Sequence, residues 1–139
     1  MGAWGTGSFE NDDALNFLDR LEGHGVVAVT QAFREVTSLD ADDYVEVDSA
    51  SSAIAAAELV AAGHDGEVSQ LPEPARQWLD KHHGSVATPD IQSVARRAVE
   101  RVLMGSELKD LWSEGDDDAE AAAWEQSVRD LIQRLQASS

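Results

Sequence analysis

One segment of this chain, YVEV at 44–47, could form a short extended piece, but no second strand-like segment exists to pair with it. An isolated strand leaves its backbone N–H and C=O groups unpaired, so a sheet is not a solution open to this chain. The segment is expected to be a turn or the entry to a helix. Everywhere else apolar residues recur at the three- and four-residue spacing of a helix. The expected fold is therefore all-α, an irregular bundle of six or seven short helices, with the glycine- and aromatic-rich N-terminal segment packed on it. At 139 residues one domain, spanning 1–139, is expected.

The helices can be placed from their stripes and end signals. The first is expected from about Asp12 to Leu21, with Ala14, Phe17, Leu18 and Leu21 on one side and Gly23 as its C-terminal cap. The second covers roughly Val26 to Val36; its β-branched residues would suit a strand, but Val26, Val29, Phe33 and Val36 have helical spacing. The third, from Asp48 or Ser49 to Ala62, is rich in alanine, the best helix former, and small enough to let helices approach closely, so a central place is expected for it, ended by Gly63. The fourth begins after Leu71-Pro72, carries Trp78 and Leu79 inward and stops near Gly84. Thr88-Pro89-Asp90 starts the fifth, with Thr88 as N-cap and Ile91, Val94, Ala95, Ala98 and Val102 as its buried stripe. A short helix with Leu108, Leu111 and Trp112 follows, then a last one from about Asp117 to Leu135 carrying Trp124, Val128, Leu131, Ile132 and Leu135 inward.

Charge narrows the function. With 27 acids and 10 bases the formal net charge is −17, and only Lys81 and Lys109 are lysines. Such a surface repels phosphate backbones and anionic membranes, so neither direct nucleic-acid binding nor a membrane role is expected. The acids are also uneven: no lysine or arginine stands between Arg34 and Arg76, a span that holds Asp40, Asp42, Asp43 and seven other acids. The absence of cysteine removes disulfides, thiolate metal sites and cysteine nucleophiles. No basic region followed by an apolar run opens the chain, and the expected location is the cytoplasm.

Catalytic patterns are missing where they would be sought. GAWGTG (2–7) has closely spaced glycines, but no strand leads into it and no lysine follows at P-loop spacing; a structural turn is expected, with Trp4 and Phe9 as anchors and Asn11 or Asp12 capping the first helix. Asp40, Asp42 and Asp43 open like a calcium loop, yet Val45 stands where glycine is needed and Ser51 where a bidentate glutamate is needed. His24, His64, His82 and His83 form no HExxH frame, and no GxSxG turn is present. No cofactor, metal or catalytic residue is assigned.

Two readings remain. The first is an acidic, non-enzymatic module that binds a basic protein partner, in the manner of an immunity protein, an antitoxin or a charge mimic, with Trp4 or Trp112 as an exposed hot spot. The alternative is a small-ligand or divalent-metal activity at carboxylates such as Asp12, Asp13, Asp40, Asp42 and Asp43. Homodimerisation through a face bearing Trp112 and Trp124 is a further option.

The opening MGAWGTGSFENDDA, the alanine-rich AIAAAELVAAG, the proline-led LPEPARQWL and the closing ELKDLWSEGDDDAEAAAWEQSVRDLIQRL together resemble a bacterial family catalogued only as a domain of unknown function, whose members begin MGxWGxGxFxNDxA. The resemblance implies a single, mostly helical domain over nearly the whole chain. It implies no activity and no ligand residues.

Overall fold

From Ala50 to Ala62 every residue is buried, although Ser51, Ser52 and Glu58 are polar. A helix apolar on all sides has to be wrapped by others. In the computed structural model, which describes residues 12–39, 43, 45–66, 71–86, 88–104 and 118–137, it is. The chain forms α1 (Asp12–His24), α2 (Val26–Thr37), α3 (Val47–Asp65), α4 (Glu73–Val86), α5 (Pro89–Met104) and α6 (Asp118–Ala137), with no strand among the described residues. The alanine-rich α3 packs against all five of the others. Its methyl side chains leave room for the larger groups of its neighbours, among them Phe17 and Leu21 of α1, Phe33 of α2, Val99 and Val102 of α5, and Leu131 and Leu135 of α6. Full burial of a side chain of that size contributes about 1.5–3 kcal/mol.

The all-α expectation holds, and so do the stripes of α1 and the caps of α5. Ala14, Phe17, Leu18 and Leu21 are all buried. The Ile91 N–H donates to Thr88 Oγ1 at 3.3 Å, and Pro89 is the first helical residue. Val45 and Glu46 lead directly into α3, as a helix entry should.

Helix ends differ from the expectation, always in the direction of longer helices. Gly23 lies inside α1; the turn comes at Gly25, whose φ of 61° is left-handed and whose N–H donates to the Leu21 carbonyl at 2.8 Å. Gly63 does not end α3, which continues to Asp65 and closes on Gly66 at φ 77° with its N–H on the Ala62 carbonyl. Gly84 sits within α4, which reaches the fully buried Val86. Glycine lowers helix stability by only about 1 kcal/mol, too little to stop a helix by itself; in α4 the fully buried Val86 outweighs it, whereas His24 of α1 and His64 and Asp65 of α3 are exposed. On α5 the buried stripe is Gln92, Ala95, Ala98, Val99 and Val102. Ile91 and Val94, expected within it, are half-buried at its edge. Trp78 is likewise half-buried, with its ring 4.7 Å from that of His82.

Candidate functional site

The arginines of the described residues are used in two different ways. Most are turned onto groups of their own chain. Arg20 Nη2 donates to Ser52 Oγ at 3.0 Å, and Arg20 lies 3.9 Å from Glu35. Arg96 and Glu100 are 3.3 Å apart, and Arg129 and Glu125 3.6 Å, each pair one helical turn apart on its own helix. Arg101 Nη2 donates to the Asp43 carbonyl at 2.6 Å, tying α5 to the connection between α2 and α3.

The strongest of these contacts is between α3 and α6. Arg134 forks over two acids: Nη1 donates to Glu58 Oε1, Nε to Asp65 Oδ2 at 2.8 Å and Nη2 to Asp65 Oδ1 at 3.2 Å. Glu58 is only 4% exposed. Burial by itself pulls the Arg134 pKa down, but the hydrogen bonds and charges of Asp65 and Glu58 more than reverse this and hold it above its ordinary value. Arg134 therefore stays charged at any pH the fold meets. The buried Gln92 donates from Nε2 to the Leu135 carbonyl beside it, joining α5 to the same end of α6.

Arg34, Arg76, Lys81 and Arg97 make no ion pair among the described residues. Two of these four, Arg34 and Arg97, line one open groove between α2 and α5, of about 400 Å³. Phe33, Ile91 and Val94 give it apolar walls, and Thr30, Thr37 and Asp90 complete its lining. α2 and α5 pack on α3 and on each other, with Ala28, Ala32, Ala95 and Ala98 buried, and the groove runs between the two helices.

The residues singled out from sequence are distributed differently. Trp4, Asp40, Asp42 and Trp112 lie outside the described residues, as do Phe9, Asn11 and the short helix expected around Leu108 and Leu111. Asp12 is the first residue of α1. Asp43 is exposed and meets Arg101 through its backbone carbonyl. Trp124 is buried in the core. Among the described residues, no three of His, Asp and Glu stand close enough to hold a metal ion, and no helix is long and apolar enough to cross a membrane. Sequence reasoning missed the groove, although the spacing of Ile91, Val94 and Arg97 at one turn each carried its α5 wall.

Fold and surface together define an all-α bundle built on an alanine-rich central helix, with excess acid on its exterior. The chain belongs to the family described as Domain of unknown function (DUF4259), whose model matches residues 2–127. No curated protein and no solved structure shows a significant match to it.

Proposed function

We propose that this protein is an acidic, non-enzymatic interaction module that recognises a basic surface on another protein. The observation that carries this reading is how charge is disposed. Asp19, Glu22, Asp43, Glu46, Asp48, Glu73, Asp80, Asp90 and Asp130 are exposed, whereas most described arginines face groups of their own chain. A net charge of −17 on a bundle of this size draws a cationic partner over a distance set by the Debye length, about 8 Å at physiological salt. An immunity- or antitoxin-like role, blocking a basic toxin surface, or mimicry of nucleic-acid charge would use such a field. The partner is a protein rather than nucleic acid or membrane, because both of those carry the same sign of charge as this surface.

The test is capture of partners on the immobilised protein from native cytosol at low and at physiological salt. Basic proteins retained at low salt and released as salt rises support the proposal. Recovery of no salt-sensitive partner counts against it. A sizing measurement across concentration tells a hetero-partner from self-association.

A further inference from the structure

We propose that the groove between α2 and α5 binds a small amphipathic organic anion, with its oxyanion head on Arg34 and Arg97 and its apolar body on Ile91 and Val94. This is independent of the acidic-module reading above, which concerns the opposite sign of charge. Three observations lead to it. First, cations are scarce: 10 bases face 27 acids, and most described arginines are satisfied within the chain. Two that are not paired with an acid among the described residues line the same groove. A guanidinium offers several N–H donors in a planar fork that matches a carboxylate or phosphate head.

Second, the groove is polarised along its length. Arg34 lies in the last turn of α2. Arg97 precedes by one turn Arg101, which reaches the Asp43 carbonyl in the connection that leaves α2. Both cations line the groove. Asp90, in the first turn of α5, is seven residues before Arg97, roughly 10 Å along the helix. The Asp90 carboxylate repels an anionic head from its own end and leaves the arginine end as the attractive one. The Thr30 hydroxyl donates back to the Val27 carbonyl at 3.1 Å, so it presents an acceptor and adds no anion-binding donor to the groove.

Third, size and lining agree. A groove of about 400 Å³ with apolar walls and a few polar groups is within the range that small ligands occupy, about 300–1,000 Å³. Phe33 is fully buried from solvent at the base, while Ile91 and Val94 are half-buried, so apolar area remains for a ligand to cover.

The experiment titrates the full chain with octanoate, octyl phosphate, acetate and 1-octanol and follows backbone amide shifts. Octanoate or octyl phosphate is expected to shift amides of residues 30–37 and 90–97, and the tighter of the two identifies the head group. Acetate, a head without a body, and 1-octanol, a body without a charge, are expected to bind at least about tenfold more weakly. Combined Arg34→Gln and Arg97→Gln substitution should weaken octanoate or octyl phosphate by about tenfold or more. Both side chains are exposed, so the variant should keep its melting temperature. Val94→Trp, which fills the groove and leaves both arginines in the sequence, should abolish binding. Equal binding of 1-octanol, shifts located elsewhere, no shifts at millimolar ligand, or unchanged affinity in the arginine variant would each overturn the proposal.

Discussion

Arg134 and Arg97 are the same residue type on neighbouring helices, put to opposite use. Arg134 reaches from α6 to α3, where the buried Glu58 and the exposed Asp65 take up its donors. Arg97 stands at the lip of an open groove with no acid against it among the described residues. A chain with more than twice as many acids as bases could pair every arginine. Where the guanidinium bridges two helices it serves the fold. Where it is left beside an apolar wall, it is available to something that comes from outside.

The largest effect expected from that contrast is at Arg134. Replacement by Met keeps most of the aliphatic stem but takes the guanidinium from a buried carboxylate. Chemical denaturation should show a loss of about 3 kcal/mol, the lower part of the range for a broken buried pair, because Asp65 remains partly in water. A loss under about 1 kcal/mol would mean that the pair is no more than a surface contact. Combining Glu58→Leu with Arg134→Met removes both charges together, and the double variant should return to within about 1 kcal/mol of the parent. A double variant as unstable as Arg134→Met would show that the ion pair, and not merely its imbalance, holds α3 to α6.

A smaller effect is expected at the wall of the groove. Thr88→Ala removes the acceptor for the Ile91 N–H and should cost about 1 kcal/mol, with faster hydrogen exchange in the first turn of α5. Unchanged exchange there would show that packing alone holds the turn bearing Asp90 and Ile91. The smallest effect belongs to the groove arginines: Arg34→Gln and Arg97→Gln should each alter stability by no more than about 0.5 kcal/mol, as exposed substitutions without partners do. A loss near that of Arg134 would erase the distinction between the two regions.

Much of the bundle was legible because helix periodicity is local. Phe17 and Leu21, or Val128 and Leu131, announce a buried face from a few residues of sequence. The central place of α3 was legible too, from its alanines. What misled was punctuation. Gly23, Gly63 and Gly84 read as stops, but each helix runs on past them. Gln92 was missed because a polar residue at an apolar position is recognisable only once its acceptor, the Leu135 carbonyl, is known. Of the residues first singled out for function, Asp43 has its backbone carbonyl engaged by Arg101, whereas the groove emerged from residues that carry no motif at all.

The amino-acid sequence alone determined that this chain is helical, that its third helix had to be surrounded, and that its exterior would be acidic, since propensity, periodicity and charge are properties of short stretches. Tertiary structure alone decided where helices end, that residue 134 closes over residues 58 and 65, and which arginines have no acid beside them among the described residues. Those outcomes depend on distances between groups far apart along the chain, set by how helices lean on the alanines of α3, and no local pattern encodes a distance of that kind.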